Sequence, residues 1–375
     1  MPSLACAAVR IALVNPTYWP EVRRGAERLV HDLAVSLTRA DHDVTLLTTH
    51  RARTRTTVED GVRVVRSYRL PDGPFHARSY NYHLHTAPGF AWRLIRGGFD
   101  VAHAFQPAAA WAAVEAQRLG GPPVVFSLLG AITEEWVSGD RMRFRMLERT
   151  VRGAAGVTVL SESVSRSFAR FLHREAAVLP GGVISSDFER PSAPAGHPTL
   201  ICAASLNDPR KRGPLLLAAF ERLRASVPEA RLLLAGKPDP ILVHGESLSL
   251  PEGARWIDAD RTESLAAAYS SAWASVLPAV DEAFGLVLLE SLAAGTPVVA
   301  ARSGGCPEIL STDSVGRLFE PDDEANLVVA MEQALELGRR PETEKACRAR
   351  ARDWDWEAIL PRYEAIYRSS ARAHV

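Results

Sequence analysis

Residues 274–308 narrow the fold more than any other stretch: Ala274-Ser-Val-Leu-Pro-Ala-Val-Asp-Glu282-Ala-Phe284-Gly285-Leu-Val-Leu-Leu-Glu290-Ser-Leu-Ala-Ala-Gly295-Thr-Pro297-Val-Val-Ala-Ala-Arg-Ser-Gly304-Gly305-Cys-Pro307-Glu308. The apolar run 274–277 is closed by Pro278, and the run from Phe284 to Ala294 has helix-forming composition. Gly295 supplies a left-handed C-cap with Pro297 two residues on, which ends that helix. Val298-Val299-Ala300-Ala301 then reads as a buried strand, and Gly304-Gly305 breaks it. The predicted helix is apolar almost all round, apart from Glu290 and Ser291, so it must be covered on most sides. Two short apolar strands joined by such a helix pair in parallel, in an α/β protein whose sheet is buried on both faces.

The same alternation runs through the chain. Strands are predicted at 9–14, 44–48, 62–65, 101–104, 123–128, 156–160 and 176–179. A helix over 26–39 places Leu29, Val30, Leu33, Ala34 and Leu37 on one apolar face. Residues 70–90, rich in Pro, His, Tyr and Gly, hold no period and read as an irregular insertion. The stretch 187–198 carries Pro191, Pro194 and Pro198 without periodicity and reads as a linker. Beyond it, strands are predicted at 199–203, 230–235 and 254–257, and helices at 214–225, 263–271 and 323–337. Two doubly wound halves follow, 1–186 and 199–355, with 356–375 as a closing helix. Open sheets of this kind take ligands at the carboxyl ends of their strands, so the expected site is a cleft between the halves.

Composition excludes several classes. The 375 residues carry 44 basic and 44 acidic side chains, so no bulk charge draws the chain to nucleic acid. Cys6, Cys202, Cys306 and Cys347 show neither disulfide nor metal-ligand spacing, which fits a reducing compartment. Arg10 interrupts the N-terminal apolar stretch, and no run of about eighteen apolar residues exists. A soluble, cytoplasmic protein is the expectation.

Two carboxylates mark the predicted helix. Glu282 stands just outside its start, where bare N–H groups and the positive dipole end attract anions, and Glu290 lies eight positions on. They suit a ligand that is part phosphate and part polyol. On spacing alone, Glu282 can equally cap the helix and Glu290 face water. The run Asn207-Asp-Pro-Arg210-Lys211-Arg212-Gly213, after the first strand of the second half, offers cations for the same ligand or a solvated basic turn.

Glu282-x7-Glu290, set in E-A-F-G-L-V-L-L-E-S-L-A-A-G-T-P-V-V-A, closely resembles the signature of the retaining glycosyltransferases of family 4. The resemblance implies a GT-B fold: two Rossmann-like doubly wound domains facing each other across a cleft, the first binding acceptor and the second nucleotide sugar. It implies a closing helix that crosses back onto the N-terminal domain. It implies a donor diphosphate held by the backbone N–H groups of Phe284, Gly285, Leu286 and Val287 together with Arg210 and Lys211. Gly25, in Arg24-Gly25-Ala26-Glu27, would approach the diphosphate from the first half. Glu290 would take the ribose hydroxyls, and Glu282, with Lys211, would serve the reacting sugar. Retaining hydrolases hold two carboxylates close around one bond. Here the pair is divided between ribose and sugar, so front-face displacement aided by the leaving phosphate is implied rather than a covalent intermediate on Glu282. A nucleotide-diphosphate sugar, expected to be a UDP-sugar, is the co-substrate, and neither a further cofactor nor a metal is required. The chain departs from the family pattern at Arg24, Ser205, Leu129, Phe105 and Pro180-Gly181-Gly182-Val183-Ile184.

Tyr82, His83, Gln106 and Glu134 are the candidate acceptor contacts, because aromatic, amide and carboxylate groups suit sugars and cyclitols. His103, alone on a buried strand, reads as a satisfied core residue. The expected reaction is glycosyl transfer to a hydroxyl of a small soluble acceptor, such as a natural-product, cyclitol or aminoglycoside-like intermediate. Arg141, Arg145, Arg149 and Arg152 fall on one helical face, either as solvated surface or as a peripheral membrane contact. The second case goes with an alternative acceptor, lipid-linked or polysaccharide, in cell-envelope synthesis. A non-catalytic nucleotide-sugar-binding protein is the alternative suggested by the departures at Leu129, Phe105 and Ser205.

Overall fold

A computed structural model describes residues 8–22, 24–69, 84–191, 194–238, 241–243 and 246–372. The chain divides into two compact units, one reaching to Pro180 and resuming at Ile359, the other running from Gly181 to Ala358.

The first unit contains β1 (Arg10–Val14), α1 (Gly25–Arg39), β2 (Asp43–His50), β3 (Arg55–Glu59), β4 (Val62–Tyr68), α2 (Ala87–Arg96), β5 (Val101–Ala104), α3 (Pro107–Arg118), β6 (Val124–Leu128), α4 (Glu134–Gly139), α5 (Arg141–Gly153), β7 (Gly156–Val159), α6 (Glu162–Leu172) and β8 (Ala177–Val178). Its sheet has the order β3-β4-β2-β1-β5-β6-β7-β8, parallel except for β3. The apolar face of α1 is buried as its spacing predicts, with Leu29, Val30, Leu33, Ala34 and Leu37 at most 1% exposed. Strand β1 lies between β2 and β5, and Val14 is in register with Leu47 on one side and Ala104 on the other. The chain therefore winds away from β1 in both directions, and the loops after β1 and β5 part over a crevice.

Two elements here differ from the sequence expectation. Strand β3 is a polar run, Arg-Thr-Thr-Val-Glu, and carries no apolar period to reveal it. It pairs with β4 through a turn at Asp60 and Gly61, both with positive φ, a hairpin turn that matches strand twist. Helix α2 begins at Ala87, inside the stretch read as irregular.

His103 on β5 is fully buried, with Nδ1 2.7 Å from the Tyr367 hydroxyl and Nε2 2.7 Å from Ser127 Oγ, which in turn bonds Thr158. Both ring nitrogens are satisfied, as a core histidine requires. Burial pushes its pKa down to about 3, so the ring is neutral. The Tyr363 hydroxyl donates to the Pro180 carbonyl at 2.8 Å. Residues beyond Ile359 are thus held to this unit by named polar contacts.

The second unit contains α7 (Ser185–Phe188), β9 (Thr199–Cys202), a 3-10 turn (Pro209–Lys211), α8 (Gly213–Ser226), β10 (Arg231–Ala235), the short β11 (Leu242–Val243) and β12 (Glu246–Ser247), β13 (Ala254–Ile257), α9 (Thr262–Ser271), β14 (Ala274–Leu277), α10 (Leu286–Ala294), β15 (Val298–Ala301), α11 (Cys306–Ile309), β16 (Gly316–Phe319), α12 (Glu324–Gly338) and α13 (Pro341–Arg352). Helix α14 (Trp356–Arg372) starts here and ends in the first unit. The six main strands are parallel, in the order β13-β10-β9-β14-β15-β16. The winding reverses between β9 and β14, so the loops after these strands flank this unit's crevice. Residue 187 opens the stretch read as a linker, yet Phe188 is buried and packs edge-on against Tyr269, 6.3 Å between centroids. Helix α13 has no continuous apolar stripe, and the sequence reading passed over it.

Candidate functional site

The crevice between β9 and β14 gathers most of the residues singled out for donor binding. Helix α10 begins at Leu286, two residues later than composition predicts. Gly285 is its N-cap with φ 105°, a left-handed conformation that a side chain resists. The helix start, with Leu286 and Val287 half-exposed, leaves its first N–H groups to be satisfied from outside. Phe284 is buried edge-on against Trp354, 5.4 Å between centroids, and anchors the approach to the helix.

Glu282 is held against this start by a close neighbour. Gly304 has φ +59°, and a Cβ there would lie 1.9 Å from the Glu282 carbonyl oxygen. Gly305 N donates to that same carbonyl at 2.8 Å. The Gly304-Gly305 pair is therefore the seat of Glu282 and not merely a strand break, and its close approach was invisible to pattern alone. Lys211 completes the pair: its Nζ is hydrogen-bonded to Glu282 Oε2, with both side chains about one-fifth exposed.

The loop after β9 brings Lys211 there by two ties. Asp208 Oδ1 accepts from Arg210 N at 3.0 Å, closing the 3-10 turn, and Val280 N donates to the Arg210 carbonyl at 2.9 Å. The three basic residues part company at this turn. Arg210 lies on Asp208, with Nη2 2.6 Å from Oδ2, and Arg212 lies on Asp322 at 2.9 Å, while only Lys211 reaches Glu282. Among the three, Lys211 is the cation placed beside the helix start. Ser205 is exposed on the same loop.

Glu290 is 9% exposed on the second turn of α10, so it does not face open water. Its neighbour is Tyr269 on α9, fully buried, whose hydroxyl donates to the Val287 carbonyl at 3.2 Å. Burial, with the Glu290 carboxylate adding to it, holds the Tyr269 phenol far above its ordinary range. Sequence reasoning missed Tyr269, since a tyrosine on an amphipathic helix carries no mark of a functional neighbour. Beneath the site, burial pushes the Cys306 thiol up, and the Glu282 charge adds to that while Lys211 opposes it.

The first unit holds the remaining candidates apart. Gly25 opens α1 after Arg24 as N-cap, and no side-chain bond caps that end. Gln106 follows β5, half-buried, with Nε2 3.5 Å from Thr17 Oγ1. Glu134 is exposed at the start of α4 and paired with Arg170 at 2.6 Å, a surface ion pair. Phe105 is buried with its ring 4.1 Å from that of His103, so it fills core space. Tyr82 and His83 lie outside the described residues. Among the described residues, no group of three or more His, Cys, Asp or Glu side chains is arranged to hold a metal ion, and no helix is long and apolar enough to cross a membrane.

Comparison with known proteins agrees with this architecture. A family model described as Glycosyltransferase Family 4 matches residues 23–186, and one described as Glycosyl transferases group 1 matches 184–354. The chain is 27% identical to a phosphatidyl-myo-inositol mannosyltransferase of Propionibacterium freudenreichii, over 96% of this chain and 94% of that one. Among solved structures, the sucrose-phosphate synthase of Thermosynechococcus elongatus superimposes with a TM-score of 0.80 at 22% identity, covering 97% of this chain and 100% of that one. Anabaena HepE in complex with UDP-glucose gives 0.72 at 16% identity, covering 97% and 99%.

Proposed function

Since the chain belongs to glycosyltransferase family 4 and has the GT-B fold, we propose that it moves a hexose, with retention, from a nucleotide-diphosphate sugar to a hydroxyl of a membrane-lipid headgroup. The observation that carries the donor half is the Lys211–Glu282 pair at the start of α10. Breaking the sugar–phosphate bond places negative charge on the departing diphosphate. A fixed lysine and the unpaired N–H groups of the helix meet that charge without reorganising. Lys211 then exchanges Glu282 for phosphate, which frees the Glu282 carboxylate for the hydroxyls of the donor sugar. Glu290, braced by Tyr269, takes the ribose. The acceptor hydroxyl enters on the face the phosphate leaves, and the leaving oxygen takes its proton.

The acceptor half differs from the small soluble molecule expected from sequence. Relatives that match nearly end to end include two named phosphatidyl-myo-inositol mannosyltransferase and one named glycogen synthase, which favours the lipid-linked or polysaccharide alternative, and the lipid-linked form of it is taken here. A local feature supports the same reading. On α5, Arg141, Arg145 and Arg149 have no acidic partner among the described residues, while Arg152 pairs with Glu148 at 3.4 Å. Met142, 57% exposed, lies on this helix, and a depression of about 380 Å³ opens along it between Val137, Ser138, Arg141, Phe144, Arg145 and Glu148. Arginines without an acidic partner beside an exposed methionine suit an anionic lipid surface.

The test is incubation with UDP-, GDP-, ADP- and TDP-sugars and either phosphatidylinositol vesicles or free myo-inositol. Nucleoside diphosphate release that depends on vesicles supports the proposal. Release only with the soluble cyclitol restores the small acceptor, and no release with either overturns the reading.

A further inference from the structure

Each cation of the basic run after β9 is paired with an acid: Arg210 with Asp208 at 2.6 Å, Lys211 with Glu282, and Arg212 with Asp322 at 2.9 Å. The three pairs are not equivalent. In the two arginine pairs one side chain is more than half exposed, and ion pairs in water contribute little. The Lys211 and Glu282 side chains are 19% and 18% exposed, so water and salt screen this pair far less. Among the described residues, Lys211 Nζ is the only hydrogen-bond partner of the Glu282 carboxylate.

The backbones on both sides of the pair are tied down. Val280 N donates to the Arg210 carbonyl, Asp281 N to Ser303 Oγ at 3.0 Å, and Gly305 N to the Glu282 carbonyl. The pair can therefore open by rotation of two side chains while the chain stays in place. Closed, it sets a carboxylate on the least exposed of the three cations. A diphosphate at the start of α10 needs that same ammonium, so two anions compete for it. The hydroxyls of a neutral hexose bring no charge with which to displace a carboxylate. Once a diphosphate has taken Lys211, Glu282 is left partly buried without a donor, which is costly until sugar hydroxyls supply one.

We propose that Glu282 is a built-in competitor of the diphosphate and thereby a selector of the donor: its carboxylate is released to a sugar only when the sugar arrives on a diphosphate. The assignment rests on the reading of this crevice as the donor site and adds a specificity role exerted in the free protein. A free hexose meets a closed pair. A nucleoside diphosphate without sugar opens the pair but leaves the carboxylate without a donor. The intact sugar nucleotide satisfies both groups.

The test is titration calorimetry on the full chain with inorganic pyrophosphate, UDP and UDP-glucose. Removing the competitor should tighten the bare anions: Glu282→Gln is expected to lower the Kd of pyrophosphate and of UDP about tenfold, between what exposed and desolvated pairs contribute. The wild type should prefer UDP-glucose to UDP, and Glu282→Gln should lose that preference while its turnover falls. General relief of negative charge would tighten UDP with or without Lys211, so Lys211→Ala and the double variant complete a cycle. In the Lys211→Ala background, Glu282→Gln should change the UDP Kd by less than about twofold. Melting curves that match the wild type certify that each variant is folded.

Glu282→Gln that binds UDP and pyrophosphate no tighter than the wild type overturns the proposal. Equal tightening in the Lys211→Ala background overturns it too, as does a wild type that binds UDP as tightly as UDP-glucose. Pyrophosphate binding by Glu282→Gln with none by the wild type supports it. Binding of none of the three by any of the proteins overturns the competitor and the donor site together. Tightening that requires Lys211, with no transfer to any acceptor, leaves the competitor standing and sinks the proposed reaction. Transfer by the wild type with unchanged UDP affinity in Glu282→Gln sinks the competitor and leaves the reaction.

Discussion

In the second unit, the loops after β9 and β14 bring a lysine, a carboxylate and a helix start together. In the first unit, the loops after β1 and β5 bring together amides, a hydroxyl and an acid, with no cation bound to them among the described residues. The topology at the two reversals is the same; the chemistry is opposite. The layer underneath differs in the same sense. In the second unit, Lys211–Glu282 lies over a buried thiol whose pKa both charges affect. Under the first crevice runs the neutral network of His103, Ser127, Thr158 and Tyr367. A doubly wound sheet therefore repeats the position of a crevice, and the loops around it set its chemistry.

The sharpest way to break this contrast is to remove the charge from the second crevice. Lys211→Ala is expected to lower kcat by about 10²–10³-fold, the usual effect of losing one preorganised group that meets developing charge. A Lys211→Ala enzyme with wild-type turnover would show that the diphosphate departs elsewhere. Glu290→Ala comes next, with the nucleotide Kd raised about 10–100-fold, as expected for losing hydrogen bonds to a charged acceptor. Calorimetry with UDP and with its 2′-deoxy counterpart separates the cases: the variant should lose its preference between them, whereas a purely structural Glu290 would leave the preference intact.

A smaller effect probes the surface of the first unit. Arg141→Glu, Arg145→Glu and Arg149→Glu combined should reduce sedimentation with phosphatidylinositol vesicles by about tenfold at low salt, and the difference should shrink as salt rises. Transfer to a soluble headgroup analogue should change little. Equal loss on both substrates would show that α5 serves the fold and not a lipid surface.

How much of this was legible beforehand depends on the kind of signal. The apolar runs of β9, β14 and β15 and the apolar face of α1 announce a parallel sheet, because burial on both faces leaves no polar alternation. Glu282, Glu290 and Lys211 could be picked out because their spelling resembles a known signature, and the structure brings Lys211 and Glu282 into contact. What escaped depended on three-dimensional neighbours. Nothing in the spelling places Asp208 and Asp322 on the flanking arginines, Tyr269 beside Glu290, or the Gly304 backbone under Glu282. The polar strand β3 escaped for a different reason, since an edge strand facing water has no apolar period to read.

The least of the expected effects concerns the ground under the first crevice, and its sign follows from His103. Burial holds this ring's pKa at about 3 against an ordinary value of 6.5. Above pH 6.5, neither folded nor unfolded chain protonates it, and the neutral network with Tyr367 and Ser127 contributes fully. Between 6.5 and 3, the unfolded chain takes up a proton that the folded chain refuses. Stability therefore falls as the pH is lowered through that window, by up to about 1.4 kcal/mol per pH unit from this group. Urea melts of the wild type and of His103→Gln between pH 7 and 4 measure it. The variant should begin less stable, having lost two buried hydrogen bonds, and its pH profile should be flatter. Nucleotide affinity at pH 7 should be the same in both, because the crevice proposed for the diphosphate belongs to the other unit. Parallel pH profiles for the two proteins would show that His103 is not the group that makes the first unit acid-sensitive. A changed nucleotide affinity would show instead that the two crevices are not as independent as their chemistry.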